Sequence, residues 1–215
     1  MIKQNLEKIK QQLPSNVQLV VVSKFRPIEQ LLEVYETGQR ELAENRVQEM
    51  VTKYEALPKD INWHLIGHLQ TNKVKYIAPF VSLIHSVDSH ELAQEINKQA
   101  IKNNRTIPIL LQFHVAEEDS KFGLKPDEAE IVCKQILELP NIEICGIMGM
   151  ATFTDNETQV RKEFKLLKDI FDNLKEKYFN NKENFNTLSM GLSSDYKIAI
   201  EEGSNLVRVG SLVFE

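Results

Sequence analysis

The fold class is decided by the stretch Val20-Val21-Val22-Ser23-Lys24, in which a run of β-branched apolar residues ends in a lysine. The apolar run starts at Val17 and predicts a strand over residues 17–23 that is buried on both faces, as is typical of parallel sheets. In folds with parallel strands, the chemistry lies at the carboxyl ends of the strands. Lys24 is therefore a candidate nucleophile towards carbonyl groups, because partial burial favours a neutral amine. The alternative is that Lys24 only ends the strand, with its ammonium group in water.

Strands and helices alternate along the rest of the chain. Such alternation implies parallel strands that are joined by crossover helices. Eight repeats predict the fold class α/β, as one (β/α)₈ TIM barrel domain over residues 1–215, and an open doubly wound sheet is the alternative. The predicted strands cover residues 17–23, 41–43, 62–66, 81–87, 107–115, 142–150, 185–190 and 205–209.

Several helix ends can also be placed from the sequence. Apolar residues with helical spacing between Ile2 and Leu13 predict an extra N-terminal helix that packs on the barrel. Asp88 and Glu91 have the spacing of a capping box, with Asp88 as the N-cap. Ser193 or Ser194 is predicted to cap the helix that precedes the last strand.

Composition excludes several classes of protein. The chain has 215 residues and a net charge of −5, which argues against a protein that coats nucleic acid. Its two cysteines, Cys133 and Cys145, lie in apolar segments without metal-ligand spacing, so we expect core residues in a reducing compartment. No segment has the length of a membrane span, and the first residues lack a signal peptide. We therefore expect a cytoplasmic protein without nucleic-acid or membrane partners, and a monomer by default.

The histidines suggest a metal site only weakly. His64 and His68 are four residues apart, as in some zinc sites, but Gly67 lies between them and no third ligand has a known spacing. No metal is therefore predicted. His85 and His114 are interpreted as strand-end or core residues.

Two turns near the end of the chain have the character of an anion site. Ser189-Met190-Gly191-Leu192-Ser193 follows the seventh strand, and Arg208-Val209-Gly210-Ser211 ends the eighth. Backbone N–H groups at such turns bind anions, and TIM barrels commonly hold phosphate after strands 7 and 8. Ordinary turn and capping chemistry is the alternative. The residues expected at the mouth of the barrel are Lys24, Asn45, His64, His85, His114, Met148, 189–193 and 208–211.

A lysine, a phosphate site and an arginine on one rim fit pyridoxal 5′-phosphate (PLP). Lys24 would bind its aldehyde, the two turns its phosphate, and Arg208 its pyridine nitrogen. Because an arginine stays protonated, it would leave that nitrogen unprotonated. The ring is then a weaker electron sink than one with an aspartate partner.

Seven motifs, spread over nearly the whole chain, together resemble the PLP homeostasis proteins, also called the YggS/PROSC type. Each motif alone is weakly specific, but their combination in this order is highly specific. They are Val21-Val22-Ser23-Lys24, Glu44-Asn45-Arg46-Val47-Gln48-Glu49, residues 64–73, residues 119–124, Gly146-Ile147-Met148, Leu188-Ser189-Met190-Gly191-Leu192-Ser193 and Val207-Arg208-Val209-Gly210-Ser211.

The resemblance implies a fold like the N-terminal barrel of alanine racemase, with PLP bound to Lys24 as an internal aldimine. It places Arg208 at the pyridine nitrogen, and Asn45 and Met148 in segments that face the ring. His64 matches a family histidine to which no role is assigned. The chain departs from the family at Ala43 and Arg46, where a glycine and an aromatic residue are usual, and after Phe214. The residues that fall where the family holds the phosphate are Ser189, Gly191, Ser193, Gly210 and Ser211.

The implied function is PLP homeostasis, meaning buffering of the cofactor or its delivery to PLP-dependent apoenzymes, without substantial catalysis. A PLP-dependent racemase of the alanine racemase type is the main alternative. Racemisation needs an acid/base group on each face of the substrate. In alanine racemases the group opposite the lysine is a tyrosine supplied with an additional domain, for which we expect no room in this chain. A Schiff-base aldolase without PLP is a third hypothesis.

Overall fold

The computed structural model describes residues 1–118 and 122–215, and these residues form a closed barrel of parallel strands. Each strand pairs with the next along the chain, and the last strand pairs with the first to close the ring. This confirms the (β/α)₈ barrel and rules out the open sheet. The strands are β1 (Gln18–Val22), β2 (Glu41–Glu44), β3 (Asn62–Leu65), β4 (Leu83–Val87), β5 (Ile107–His114), β6 (Ile142–Met150), β7 (Thr187–Ser189) and β8 (Leu206–Val209).

The helices that connect the strands cover the outside of the barrel. The predicted N-terminal helix is present and buries Ile2, Leu6 and Ile9. Short 3₁₀ turns at Thr71–Lys73 and Pro126–Glu128 precede the helices that begin at Val74 and Ala129. The helices are α1 (Ile2–Gln12), α2 (Ile28–Glu36), α3 (Val47–Ala56), α4 (Val74–Ile77), α5 (His90–Lys102), α6 (Ala129–Leu137), α7 (Glu157–Tyr178), α8 (Tyr196–Glu201) and α9 (Ser211–Phe214).

Alternate residues of each strand belong to two separate cores. In β1, Leu19 and Val21 pack outwards against the helices, whereas Val20 and Val22 face the inside of the barrel. This alternation follows from the two-residue period of a strand. It explains why the strands are almost continuously apolar, because both of their faces are covered.

Three predicted boundaries are wrong. Helix α5 is capped by Ser89 and not by Asp88, because the Ser89 hydroxyl accepts the N–H of Leu92 at 3.2 Å. Helix α8 follows Asp195 and not Ser193 or Ser194. Strand β7 is three residues long, and Phe185, expected in it, instead stacks on Phe179 with ring centroids 4.0 Å apart.

Among the described residues, no helix is both long enough and apolar enough to cross a membrane.

Candidate functional site

A cavity of about 620 Å³ opens at the carboxyl ends of β1, β7 and β8. Five of the nine residues predicted for the cofactor site line this cavity. They are Lys24, Ser193, Arg208, Gly210 and Ser211. The parallel strands carry all five to one rim, as expected for this fold.

The lysine lies in a strained and tightly held turn. The Lys24 side chain is exposed, so the partial burial expected from the sequence is not found. Phe25, the next residue, has a φ of 63°, which is unfavourable for a bulky side chain. Its N–H donates to Glu49 Oε1 at 2.7 Å, and the Ser23 carbonyl accepts from Lys53 Nζ at 2.7 Å. The backbone on both sides of Lys24 is therefore held by side chains of α3.

The two contacts belong to one cluster of charges, in which Glu44 and Lys53 are buried and Glu49 is partly exposed. Lys53 Nζ lies 2.7 Å from a carboxylate oxygen of Glu44 and 2.7 Å from one of Glu49. Glu44 also accepts the Ser23 hydroxyl at 2.6 Å. Burial raises the pKa of Glu44, and the hydrogen bonds from Lys53 and Ser23 offset this only in part. We name Glu44, Glu49 and Lys53 the lysine-loop clamp; sequence reasoning missed it, although Glu49 and Lys53 have i,i+4 spacing on α3.

The loops after β7 and β8 are attached to each other beside the cavity. The Ser193 hydroxyl accepts the N–H of Gly210 at 3.2 Å. The carbonyl of Gly191, where φ is +98°, accepts the N–H of Arg208 at 3.0 Å. A Cβ atom on Gly210 would lie 3.0 Å from the carbonyl oxygen of Val22, so a side chain there would narrow the space between β1 and β8. These contacts hold Ser193 and Gly210 together at the place predicted for phosphate.

Arg208 is the most unusual residue of the cavity, because its side chain is only 1% exposed. Its Nη1 donates to Ser189 Oγ at 3.2 Å and its Nη2 donates to the Gly149 carbonyl at 2.9 Å. Its Nε is buried and has no hydrogen-bond partner among the described residues. Burial lowers the pKa of Arg208 to about 10, and attraction to Asp195 offsets this only in part. The guanidinium thus remains charged at neutral pH.

The unpartnered Nε gives a test of whether the cavity fits PLP. A buried donor without a partner is costly, and a ligand that supplies an acceptor removes the cost. An unprotonated pyridine nitrogen is such an acceptor. The same cavity has an accessible amine at Lys24 and small, polar residues at Ser193 and Gly210 for an anion. The residues present therefore fit an aromatic aldehyde that carries a phosphate group.

Four of the nine predicted residues do not line the cavity. Ser189 is fully buried and hydrogen-bonds to Arg208. Gly191 supports Arg208 through its carbonyl, as described above. Met148 is fully buried in the interior cluster of the barrel. The Asn45 side-chain oxygen is buried without a partner among the described residues, and the Asn45 carbonyl lies where a Cβ atom of Gly67 would be.

The histidines lie in two different environments. His64 and His85 face the barrel interior and contact each other, with 2.9 Å between Nδ1 and Nε2. His68 is exposed; it stacks on Phe122 and lies 3.8 Å from Asp88. In residues 1–118 and 122–215, no group of three or more His, Cys, Asp or Glu side chains could hold a metal ion. Lys121 and the rest of the first half of the motif at 119–124 lie outside the described residues.

A second cavity, of about 630 Å³, lies behind the loops after β7 and β8. It shares Ser193 and Ser211 with the first cavity, and α1 forms its far side. Asn5 Nδ2 donates to the Val213 carbonyl at 3.1 Å, and the Tyr196 hydroxyl donates to Gln12 at 3.0 Å. The N-terminal helix is thus hydrogen-bonded to the elements that carry the predicted phosphate site.

Known proteins resemble this chain over nearly its whole length. The family model of the alanine racemase N-terminal domain matches residues 1–215. The pyridoxal phosphate homeostasis protein of Aquifex aeolicus is 43% identical over 197 residues, which cover 91% of this chain and 85% of that protein. That of Schizosaccharomyces pombe is 35% identical over 202 residues, 93% of this chain and 84% of that protein.

Solved structures agree with this assignment. PipY of Synechococcus elongatus superposes over all of both chains, with a TM-score of 0.95 and 33% identity for the form without PLP. The form of PipY with PLP bound gives a TM-score of 0.91 and 32% identity, again over all of both chains. Alanine racemase of Clostridium difficile shares the fold, with a TM-score of 0.78 at 16% identity over 99% of this chain and 56% of that one. The chain therefore belongs to the pyridoxal phosphate homeostasis protein family, which has the fold of the alanine racemase N-terminal domain.

Proposed function

We propose that this chain binds PLP as a Schiff base on Lys24 and acts in intracellular PLP homeostasis, as a buffer or a donor of the cofactor, without substantial catalysis. The observation that carries the proposal is the buried, unpartnered Nε of Arg208 in the same cavity as the Lys24 amine. The relatives named above support it, since they are named for PLP homeostasis and PipY has a structure with PLP bound.

Each residue of the cavity has a defined role in this proposal. PLP supplies an aldehyde, which condenses reversibly with an amine with loss of water, and a phosphate dianion. Lys24 provides the amine at the end of β1. Ser193, Gly210 and Ser211 provide hydroxyl and backbone N–H donors for the anion. Arg208 donates from Nε to the ring nitrogen and, being charged itself, keeps that nitrogen unprotonated.

The chemistry of the cavity favours binding over catalysis. Racemisation needs a second acid/base group opposite the lysine. Among the described residues, the lining of the cavity contains no histidine, tyrosine or cysteine. In the part of the chain that the structure describes, one carboxylate lines the cavity, that of Glu215. Its side chain is 68% exposed and lies 2.8 Å from Arg26. An arginine at the ring nitrogen also limits the ring as an electron sink. Its guanidinium forms a hydrogen bond to the nitrogen but does not transfer its proton, so the ring stays uncharged there.

The exposure of the site suits a protein that must release its ligand. Lys24 is exposed, and the aromatic residues beside it, Phe25 and Phe153, are 73% and 89% exposed. Water therefore reaches the lysine, and hydrolysis of a carbon–nitrogen double bond there would free the cofactor. A catalytic PLP site, by contrast, benefits from excluding water.

Three further parts of the proposal rest on sequence arguments. Residues 1–215 act as one PLP-binding domain, the protein is a monomer, and its compartment is the cytoplasm. Cys133 and Cys145 are both free, as expected in a reducing compartment. Burial raises the pKa of each thiol to about 12, which makes both poorly reactive. The partners of a delivery role would be apoenzymes that use PLP.

The visible absorption spectrum of the purified protein, before and after borohydride, tests the binding proposal. We expect a yellow wild type that is bleached by reduction, with the label on Lys24 in a peptide map, and a colourless Lys24→Ala variant. Lys165→Ala, which removes an exposed lysine on the outer face of α7, is the matched control and should stay yellow. A wild type that stays colourless after addition of PLP would overturn the proposal.

Incubation of the loaded protein with L-alanine or L-serine separates binding from racemase activity. We expect no sustained formation of the D-enantiomer. Turnover that continues after many equivalents of product would assign the protein to the racemases instead.

A further inference from the structure

A continuous chain of hydrogen bonds runs through the interior of the barrel and ends at Arg208. Glu41 Oε2 lies 2.8 Å from His64 Nε2, and His64 Nδ1 lies 2.9 Å from His85 Nε2. His85 Nδ1 lies 3.0 Å from Ser189 Oγ, which accepts from Arg208 Nη1 at 3.2 Å. We name these five residues the interior chain. Apart from Arg208, none of them lines the cofactor cavity.

The interior chain connects opposite parts of the barrel. Glu41 is the first residue of β2, at the amino end of the strand, whereas Ser189 is the last residue of β7. Strands β4 and β7 are not neighbours, so the bond from His85 to Ser189 crosses the interior. Apolar residues, including Leu110 and Met148, form the interior cluster of the barrel. A hydrogen-bonded chain in such surroundings is strong, because little water competes with it.

The donors and acceptors permit one consistent direction. Burial opposes ionisation of Glu41, but hydrogen bonds from His64 and Asn62 overcome it, so the pKa of Glu41 lies below its usual range and it accepts as a carboxylate. His64 then donates from Nε2 and, when neutral, accepts at Nδ1. His85 must therefore donate from Nε2 and accept at Nδ1 from the hydroxyl of Ser189.

The surroundings of His85 support this direction. Burial lowers the pKa of His85 well below 6.5, and the charge of Arg208 acts in the same direction, so His85 carries one proton. The opposite direction would need a charged His64. It would also leave the hydroxyl hydrogen of Ser189 without an acceptor among the hydrogen bonds of the described residues. The chain is thus polarised from a guanidinium at one end to a carboxylate at the other.

Arg208 needs such support because its direct acceptors are uncharged. A buried cation without a carboxylate at contact distance is costly. Its two hydrogen bonds to Ser189 and Gly149 fix both Nη atoms, which leaves only Nε to face a ligand. Ser189 is a better acceptor when its own hydrogen is donated along the chain towards Glu41.

We propose that Glu41, His64, His85 and Ser189 are positioning residues, which act through one polarised hydrogen-bond chain to hold Arg208 Nε in place for the ring nitrogen of PLP. This inference rests on the proposed function, since it concerns the same site. It gives a role to His64 and His85. It also means that the negative charge of Glu41, at the amino end of the barrel, stabilises the positive charge of Arg208 from a distance.

A double-mutant cycle on the absorption spectrum of bound PLP tests the proposal. Glu41→Gln keeps the shape of the side chain and removes its charge, and Ser189→Ala interrupts the chain next to Arg208. We expect each single variant to move the absorption maximum in the same direction and to weaken PLP binding about tenfold. In the Ser189→Ala background, Glu41→Gln should have no further effect, because its influence passes through Ser189.

Glu143→Gln is the matched control for the charge. Glu143 lies near the amino end of β6, hydrogen-bonds to Asn184 and does not belong to the interior chain. The Glu143→Gln variant should have the same absorption spectrum of bound PLP as the wild type. Shifts that add in the Glu41→Gln/Ser189→Ala double variant, or a Glu41→Gln spectrum like that of the wild type, would overturn the inference while PLP binding stands. A wild type that binds no PLP would overturn the proposed function and this inference with it.

Nitrogen-15 NMR of the histidine side chains tests the direction of the chain without PLP. In the full-length protein at neutral pH, His64 and His85 should both be neutral with hydrogen on Nε2. The signals can be assigned from His64→Gln and His85→Gln. A charged His64, or hydrogen on Nδ1 of either residue, would contradict the polarised chain even if the spectral cycle behaved as expected.

Discussion

The ammonium nitrogen of Lys53 lies 2.7 Å from the carbonyl oxygen of Ser23, so a buried lysine of α3 holds the peptide bond that leads into Lys24. The same nitrogen binds Glu44 and Glu49, and Glu49 accepts the N–H of Phe25. The position of the exposed Lys24 at the mouth of the barrel thus depends on the buried Lys53 beneath it.

Replacing Lys53 should destabilise the protein strongly. In Lys53→Met, the fully buried carboxylate of Glu44 loses its cationic partner. Removing one member of a buried ion pair typically costs about 3–5 kcal/mol of the free energy of unfolding. Urea unfolding followed by circular dichroism measures the change, with Lys165→Met, on the exposed face of α7, as the control.

The same variant separates folding from cofactor binding. Adding Glu44→Leu to Lys53→Met removes the unpaired charge and should restore most of the free energy of unfolding. It should not restore PLP binding, because the Ser23 carbonyl remains unheld. A Lys53→Met protein that loses less than about 1 kcal/mol would show that the clamp is not a buried ion pair in solution.

Phe25→Gly should leave the protein at least as stable as the wild type and make PLP binding weaker. The positive φ of Phe25 costs about 1 kcal/mol or more, which glycine avoids. We expect the free energy of unfolding to rise or stay unchanged, whereas PLP dissociates faster because the turn at Lys24 is less restricted. Phe25→Ala, which loses the ring but keeps most of the backbone strain, is the comparison. Slower PLP release from Phe25→Gly than from Phe25→Ala would contradict the role of the strained turn.

Gly210→Ala should weaken the binding of phosphate-bearing ligands selectively. The added Cβ would lie 3.0 Å from the Val22 carbonyl, on the residue whose N–H donates to the Ser193 hydroxyl at the place predicted for phosphate. Fluorescence titration should show about tenfold weaker binding of PLP, with binding of pyridoxal, which lacks the phosphate, little changed. Equal losses of affinity for PLP and for pyridoxal would mean that the phosphate group binds elsewhere.

Stability should fall with decreasing pH in a manner that depends on His85. The pKa of its imidazole is lowered well below 6.5, chiefly by burial. Below about pH 6.5 the unfolded chain takes up a proton that the folded protein does not, so the free energy of unfolding decreases by up to about 1.4 kcal/mol per pH unit. Urea unfolding between pH 7 and pH 5 should show a smaller decrease for His85→Gln than for the wild type. Parallel curves would mean that His85 is protonated in the folded protein.

The sequence predicted those features that depend on local pattern. The apolar run before Lys24 correctly predicted β1, since a strand buried on both faces has a recognisable composition. Small residues after β7 and β8 predicted an anion site; the loops that contain them meet at Ser193 and Gly210 beside the cavity, and the phosphate site itself stays a prediction. Helix α9 was not predicted, because its four residues are too few for a periodic pattern.

Features that depend on several distant residues could not be predicted in this way. Glu41, His64 and His85 each look unremarkable alone, and only the closed barrel brings them into one chain. A weak signal existed, because each lies two residues from an apolar residue that faces the interior, such as Ala43 or Leu83. The free Nε of Arg208 had no sequence signal at all, since it depends on which acceptors its other nitrogens have found.

The contacts of α1 have a consequence for ligand binding in the cofactor cavity. Asn5 and Gln12 hydrogen-bond to Val213 and Tyr196, and the wall between α1 and the cofactor cavity is only as thick as the loops that contain Ser193 and Ser211. We therefore expect removal of the first turn of α1, which contains Asn5, to lower the affinity for PLP although it alters no residue that lines the cofactor cavity. The N-terminal helix should be counted as part of the binding apparatus when variants are compared.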